Sequence, residues 1–397
     1  MRFSGFDDEW QSCRFDELFD FQVAGDMKKE LFNEEFIDEY KYPLYANALE
    51  NEGLLGYYKE YKYNPNSITV TARGNIGHAT ARKNKFNAVG RLIILTPKED
   101  LNIEFFTEYI NNNVKIYIES TGVPQLTAPS LKINKLHYPT LNEQNKISNL
   151  LIMLNNKIEL LGQKHQLYQY FKKYLMQQIF TQKLRFKSAD GEQYSDWKER
   201  NLYEFLTEHK LKSTGNEEVY SVSVHKGLVN QKEHLGRDFS APDTSKYNLV
   251  KPGDIVYTKS PTGDFPLGII KQSRVDKNVI VSPLYGVFTP ETYALGYILN
   301  DYFESNVNTH NYLHPIVQKG AKNTMNITNK TFLSKTLFVP TDVNEQQKIA
   351  ECFSKVNDSI RNIEIQQNKV NEFKKGLLQQ MFVVQLILSL LQNKKHI

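Results

Sequence analysis

Asn142-Glu-Gln-Asn-Lys-Ile147 opens a stretch that returns 202 positions later as Asn344-Glu-Gln-Gln-Lys-Ile349. The match resumes at the far end, where Phe171, Lys172, Lys173, Leu175, Gln177, Gln178 and Phe180 recur as Phe373, Lys374, Lys375, Leu377, Gln379, Gln380 and Phe382. A duplication of this period describes two related halves rather than a solenoid of short repeats. Between the ends, Ile147, Leu151, Leu154, Ile158, Leu161, His165 and Tyr168 step by fours and threes, as do Ile349, Phe353, Val356, Ile360, Ile363, Gln367 and Val370. That is coiled-coil spacing, so each copy is expected as one long helix, and two seams in one chain can close on each other. Thr140-Leu-Asn-Glu143 and Asp342-Val-Asn-Glu345 read as capping boxes, each just after a proline, Pro139 or Pro340. No proline falls between Glu143 and Phe186, which allows a rod of roughly 60 Å.

A chain of 397 residues has room for two or three domains, each with its own core. Lys and Arg number 49 against 45 Asp and Glu, so a nucleic-acid footprint must come from local clusters and not from bulk charge. Cys13 and Cys352 stand far apart with no Cys/His grouping, which argues against structural zinc and a disulfide framework and fits a reducing cytoplasm. The acidic segment Met1 to Trp10 lacks an apolar core, and the apolar run Met381 to Leu391 is too short to span a bilayer and contains Gln385 and Ser389. Neither export nor membrane insertion is expected.

The halves echo again at Trp10, Phe15, Glu17, Leu18 and Trp197, Leu202, Glu204, Phe205. The two tryptophans read as core anchors marking where each half begins. Tyr57 to Leu95 and Leu249 to Val287 alternate aromatic and β-branched residues with turn signals, as sheet-rich domains do. These domains do not align beyond their edges, as expected of one fold that reads two targets.

Charge clusters in the same regions. From Gly56 to Thr96, Lys59, Lys62, Arg73, Arg82, Lys83, Lys85 and Arg91 face one acid, Glu60, among Tyr57, Tyr58, Tyr61, Tyr63 and Phe86. Ser305 to Phe338 holds Lys319, Lys322, Lys330 and Lys335 and no acid. Lysine and arginine favour phosphate, and Asn, Gln, Arg and Lys read base edges. A single such run is equally well a solvated face; two runs in duplicated domains point to nucleic acid.

Signals for catalysis are missing: there is no glycine-rich cofactor loop with an Asn/Asp-Pro-Pro-aromatic site, no Gly-x4-Gly-Lys-Ser/Thr and no His-Glu-x-x-His. His310-Asn-Tyr-Leu-His314 has i,i+4 spacing without the glutamate and reads as structural or DNA-facing. His165 on the seam reads as a register-setting polar residue. The Phe-Lys-Lys triplets (Phe171 to Lys173, Phe373 to Lys375) are most simply solvated helix faces, with DNA phosphate contact as the alternative.

With duplicated Asn-Glu-Gln helices and tryptophan-led variable domains, the whole chain resembles the specificity subunit of a type I restriction-modification system. Tyr42-Pro-Leu-Tyr-Ala-Asn47 with Gly53-Leu-Leu-Gly-Tyr57, Arg73-Gly-Asn-Ile-Gly77 and Lys251-Pro-Gly-Asp-Ile255 are similar to segments of that family. Thr121-Gly-Val-Pro-Gln-Leu126 and Lys319-Gly-Ala-Lys-Asn323 occupy the place of its late Gly-containing loop. The continuation past Phe382, Val383 to Leu391 and then Asn393 to Ile397, departs from the family pattern.

The resemblance implies an α+β chain: two sheet-rich target-recognition domains separated by two long helices that pair as an antiparallel coiled coil. The expected division is a first recognition domain over 1–138, a first spacer helix over 139–186, a second recognition domain over 187–339, and a second spacer helix with tail over 340–397. Each domain would read one half of a bipartite double-stranded DNA target while the helices set the gap. Two modification (methyltransferase) subunits would dock on the helices, and restriction (translocase/endonuclease) subunits would join them. The chain itself would be non-catalytic and hold no cofactor, with S-adenosylmethionine, ATP and Mg2+ on the partners. Expected DNA contacts are Arg73, Asn75, His78, Arg82 and Lys83 in the first domain and Lys259, Thr262, Lys319, Lys322 and Asn323 in the second. Expected spacer and partner-docking positions are Ile147, Leu154, Ile158, Leu161, Ile349, Val356, Ile360 and Ile363. The alternative is a coiled-coil scaffold whose basic domains bind other proteins.

Overall fold

The computed structural model describes residues 2–114, 124–235, 243–319 and 325–383. Two helices dominate: the first long helix, Leu141–Phe180, and the second, Val343–Leu378, which ends in a π-helical turn, Gln379–Val383. The chain divides into two compact units, Met1–Gln163 with Glu364–Ile397, and Lys164–Ile363. Each long helix is therefore shared, its first part packing with one unit and its last part with the other.

In the first unit, strands run in chain order β1 (Gln11–Arg14), β2 (Phe19–Val23), β3 (Phe32–Asn33), β4 (Tyr42–Tyr45), β5 (Leu54–Tyr58), β6 (Ser67–Val70), β7 (Ala79–Arg82), β8 (Asn87–Ala88), β9 (Ile93–Pro97) and β10 (Lys135–Tyr138). A four-stranded sheet has the order β2-β9-β6-β7, and a smaller one β3-β5-β4-β8. The domain closes where β1 pairs antiparallel with β10, Gln11 opposite Tyr138. β6 and the start of β9 are buried on both faces, because the helix Ile103–Asn113, capped by Asn102, covers one face.

The second unit repeats this plan with β11 (Lys198–Asn201), β12 (Leu206–Glu208), β13 (Tyr220–Ser223), β14 (Gly227–Asn230), β15 (Asn248–Val250), β16 (Ile255–Tyr257), β17 (Ile270–Gln272), β18 (Val279–Val281), β19 (Gly286–Pro290), β20 (Gln318–Lys319), β21 (Met325–Asn326) and β22 (Thr336–Val339). Its main sheet, β12-β19-β16-β17, has the same relative order as in the first unit. β11 pairs with β22 as β1 pairs with β10, and the helix Tyr293–Glu304, capped by Thr292, follows β19. The two domains share a fold although their sequences do not align.

The ends of the long helices complete both cores. Ile147 and Leu151 from the first helix and Leu377, Leu378, Met381 and Phe382 from the second join Phe15, Phe19, Phe105 and Phe106. In the second unit, Leu175, Met176 and Ile179 meet Ile349, Phe353 and Val356 around Trp197. Trp10 lies edge-on to Phe382 at 6.4 Å, and Trp197 lies edge-on to Phe180 at 6.2 Å. Both tryptophans thus anchor equivalent helix ends. Such large aromatic contacts supply non-directional burial, roughly 1.5–3 kcal/mol per fully buried side chain.

The seam spacing behaves as the steps of four and three require. Ile147, Leu161, Ile349, Val356 and Ile363 are buried, and Leu154, Ile158 and Ile360 are half-buried. Within the first unit the two helices run side by side, Gln367 Nε2 donating to Ile158 O at 3.5 Å, and a Cβ on Gly162 would sit 3.4 Å from Gln367 Nε2.

The Asn-Glu-Gln motif does something other than form capping boxes. Asp342 Oδ1 does accept from the Asn344 and Glu345 N–H groups, at 2.8 and 3.2 Å. The glutamates, however, turn into the protein. Glu143 receives Arg2 Nε and Nη2 at 2.8 and 2.7 Å. Glu345 receives Arg185 Nε and Nη2 at 3.1 and 3.0 Å and the Trp197 indole N–H at 3.1 Å. A carboxylate buried this deeply needs charged or N–H donors more than a backbone cap does. The glutamines are bivalent: Gln144 donates to Pro139 O at 2.9 Å and accepts from Asn102 N at 3.0 Å. Gln346 donates to Pro340 O at 2.9 Å and accepts from the Thr292 hydroxyl at 2.6 Å. Each long helix therefore starts by gripping the N-cap of its domain helix. Among the described residues, no helix is long and apolar enough to cross a membrane. The tail after Val383 lies outside the described residues.

Candidate nucleic-acid interface

In the first domain β6 runs out at Val70 into a loop, Thr71 to His78, that carries three of the expected contacts. Thr71 shapes it: its hydroxyl donates to Asn75 O and accepts from His78 N at 2.9 Å, and its carbonyl accepts from Gly77 N at 2.8 Å. Asn47 reaches across from beyond β4, its Oδ1 accepting from Ala72 N at 2.7 Å and Arg73 N at 3.3 Å while its Nδ2 donates to Gly90 O. The loop backbone is thus satisfied internally, and Arg73, Asn75 and His78 are left exposed on it. Leu126 N donates to Ala72 O at 2.9 Å, which places Gln125 beside Arg73, Nη2 to Oε1 3.3 Å. An arginine, an asparagine and a histidine on a pre-shaped loop, with a glutamine from a second segment beside them, form a donor and acceptor set suited to base edges and phosphate.

Arg82 has a different place. Its guanidinium is buried at 4 % exposure, stacked 3.5 Å over the Tyr45 ring, with Nε donating to Thr69 Oγ1 at 2.9 Å and Nη2 to Glu52 O at 2.7 Å. Burial lowers its pKa, opposed by Tyr45 and Glu52. The residue expected at the DNA is spent holding the turn Asn51-Glu52-Gly53. In that turn all three residues have positive φ, and a Cβ at Gly53 would sit 2.5 Å from Ala46 O. Lys83 is exposed and pairs with Glu104 at 2.5 Å. Beyond it, Lys85 lies 4.3 Å over the Tyr61 ring and Lys59 lies 4.8 Å over Tyr40, a basic and aromatic surface on the smaller sheet.

In the second domain the loop leaving β16 is the counterpart. Thr258 Oγ1 accepts from Ile269 N at 3.0 Å, as Thr71 accepts from His78. Lys259 follows with φ +56, a left-handed conformation that a lysine adopts only where surroundings impose it. It is half-buried, and burial lowers its pKa while Glu208 opposes the shift. Thr262 sits at the exposed tip, closed by Thr262 N to Phe265 O at 3.1 Å and Phe265 N to Thr262 O at 2.8 Å. Lys319 pairs opposite Met325 in the β20–β21 ladder. Lys322 and Asn323 lie outside the described residues. Sequence reasoning missed Asn47 and Gln125, since uncharged amides announce nothing; the one signal was their position inside the Tyr42–Asn47 and Thr121–Leu126 segments.

The seam residues are consumed within the chain, so an outward surface on the helices must be made by others. On the first long helix Met153, Leu160, Leu167 and Tyr174 are exposed at seven-residue intervals. Their repeat equivalents on the second helix are Lys355, Asn362, Lys369 and Gly376. His310 and His314 are exposed with rings stacked 4.8 Å apart. Among the described residues, no group of three or more His, Cys, Asp and Glu is arranged to hold a metal ion.

Two sheet domains of one topology, each closed onto a repeated long helix, make a fold that recurs among solved structures. A structure of an S subunit from M. genitalium superposes with a TM-score of 0.64 at 15 % identity, covering 96 % of this chain and 97 % of that one. A type I R-M system structure described for complex assembly and conformational transition superposes at 0.50 with 13 % identity, over 95 % and 98 %. Residues 7–169 match the type I restriction modification DNA specificity domain. Two proteins of Mycoplasma pneumoniae named as type I specificity subunits are each 32 % identical, over 173 and 129 residues. Those matches cover 41 % and 32 % of this chain and 47 % and 38 % of the relatives, so the chain spans about half or less of the length of these two. Residues 7–169 thus carry a type I restriction modification DNA specificity domain, and the fold of the chain is similar to that of solved S subunits.

Proposed function

We propose that this chain is the sequence-reading subunit of a type I restriction-modification complex, each domain recognising one half of a bipartite double-stranded DNA target. The observation that carries this is the repetition of one domain plan, β2-β9-β6-β7 and β12-β19-β16-β17, with a polar loop leaving the equivalent strand in each. Shared topology with different loop residues, Arg73, Asn75 and His78 against Lys259 and Thr262, is what two different half-sites require. The helices set the unspecified gap, since a rod of roughly 60 Å exceeds one turn of duplex, about 34–36 Å. Two modification subunits dock on the helices, where the outward row Met153, Leu160, Leu167 and Tyr174 offers an apolar contact, and restriction subunits join that assembly. S-adenosylmethionine, ATP and Mg2+ act on those partners, and this chain contributes no catalytic group. The complex works in the cytoplasm, where the DNA is.

The test is to co-express the chain with a type I modification subunit from the same source and map methylated adenines in the host DNA by single-molecule sequencing. A split motif with an adenine modified in each half supports the proposal. A stable complex without any motif refutes DNA reading by these domains, and no complex at all favours the scaffold alternative.

A further inference from the structure

Two residues repeat at the same 202-residue interval as the Asn-Glu-Gln motif: Asn155 with Asn357, and Lys172 with Lys374. In the first unit both long helices converge on one carboxylate. Glu108, on the domain helix Ile103–Asn113, accepts at Oε1 from Asn155 Nδ2 of the first long helix and from Lys374 Nζ of the second, each at 3.1 Å. Asn112 Nδ2 approaches its Oε2 at 3.3 Å. In the second unit the roles exchange. Asn357 of the second long helix donates to Asp301 Oδ2 at 3.2 Å. Lys172 of the first lies 3.7 Å from Asp301 and pairs with Glu304, both on the domain helix Tyr293–Glu304. Lys271 at 3.0 Å from Glu304 and Arg274 at 3.5 Å from Asp301 complete that cluster. The first lysine of each Phe-Lys-Lys is thus no solvated residue: Lys172 and Lys374 are 13 % and 21 % exposed and aimed at a domain, while Lys173 and Lys375 face water.

We propose that the first lysine of each Phe-Lys-Lys triplet is a positioning residue that sets the tilt of its recognition domain on the long helices, and with it the spacing at which the two half-sites are read. The inference rests on the function proposed above. Each domain helix is held at two points. Gln144 or Gln346 grips its N-cap, and the asparagine and lysine grip an acid further along, Glu108 six residues past Asn102 or Asp301 nine past Thr292. Two points on one rod define its direction. The aromatic core beneath is attractive but non-directional and tolerates rotation, whereas a charge-assisted hydrogen bond fixes distance and angle. Neither lysine lies on the loops that carry the expected base contacts, so its loss changes where a domain points and not which bases it reads.

Lys374→Met is the sharper variant, because Lys374 is the cation paired with Glu108 among the described residues, whereas Asp301 and Glu304 keep Lys271 and Arg274. The full chain is co-expressed with its modification subunit, and host methylomes are compared for wild type, Lys374→Met, Lys374→Arg and Glu108→Gln. We expect both half-sequences to be unchanged in Lys374→Met while discrimination against sites whose gap is one base pair longer or shorter falls about tenfold, the equivalent of one lost hydrogen-bonded orientation. Glu108→Gln gives the same relaxation from the domain side, and Lys374→Arg restores discrimination. Unchanged gap discrimination in both Lys374→Met and Glu108→Gln overturns the proposal, as does an altered half-sequence, which would make Lys374 a DNA contact. Loss of soluble complex in both variants overturns it as well, because the pair would then serve folding. A wild-type methylome without a split motif refutes the underlying function and is distinguishable from all of these.

Discussion

Replacing Arg185 with methionine tests whether the repeated glutamate is a buried lock. Glu345 is fully buried, and its carboxylate has three N–H donors: two from Arg185 at 3.1 and 3.0 Å and the Trp197 indole at 3.1 Å. Arg185 is itself largely sheltered and also donates to Tyr194 O and Ser195 O, at 3.2 and 2.8 Å. Taking one partner from a buried ion pair costs about 3–5 kcal/mol, because the remaining charge keeps its desolvation penalty. The Trp197 N–H still serves Glu345, which puts the expected loss near the lower figure, about 3 kcal/mol. For a unit of the size of Lys164–Ile363, that lowers Tm by roughly 6–12 °C at neutral pH. Differential scanning calorimetry of the full chain reads it directly. The double variant Arg185→Met with Glu345→Met is expected to recover much of the loss, since an apolar pair of similar volume leaves no stranded charge. A shift below about 3 °C in the single variant, or a double variant no more stable than the single one, refutes the reasoning.

The other expectations separate structure from recognition and titration. Arg82→Met breaks the bonds to Thr69 and Glu52 and the stacking on Tyr45, and is expected to cost about 2–3 kcal/mol of stability in thermal unfolding. Arg73→Ala on the exposed loop is expected to leave stability within about 0.5 kcal/mol while DNA affinity falls by about 1–3 kcal/mol if a base edge is bonded; a stability loss from Arg73→Ala equal to that of Arg82→Met would contradict the assignment. Glu217 has its carboxyl pulled down to about 2, chiefly by the Thr214 hydroxyl 2.6 Å away, against partial burial and with help from Thr214 N at 2.9 Å and Ser213 Oγ at 3.1 Å. A depressed carboxyl stabilises the folded turn above its ordinary value of 4.5, and that contribution disappears as pH falls from there toward 2. Carbon-detected NMR titration is expected to show the Glu217 midpoint rising toward 4.5 in Thr214→Val, and identical midpoints in the two proteins would exclude the hydroxyl as the cause.

The duplication, the two helices and their seam follow from sequence alone, because a helix of 36 or 40 residues with apolar side chains every three and four positions has one low-energy way to bury them. The sheet-rich character of the domains was equally legible, and so was the tryptophan anchor at the start of each half. Other features depended on tertiary neighbours. Arg82 and Arg73 are both arginines in one basic stretch, yet one is sealed under Tyr45 and the other is exposed, and only the turn at Asn51 to Gly53 decides between them. Glu143 and Glu345 sit at capping-box spacing, but burial made an arginine from 141 or 160 residues away a better partner than the adjacent backbone. Lys172 and Lys374 read as solvated because helical periodicity reports which face a residue is on, not which acid from another element meets that face. Local spacing sets elements and seams through short-range sterics and periodicity. The partner of a charge is chosen by long-range proximity and desolvation, which exist only once the chain has folded.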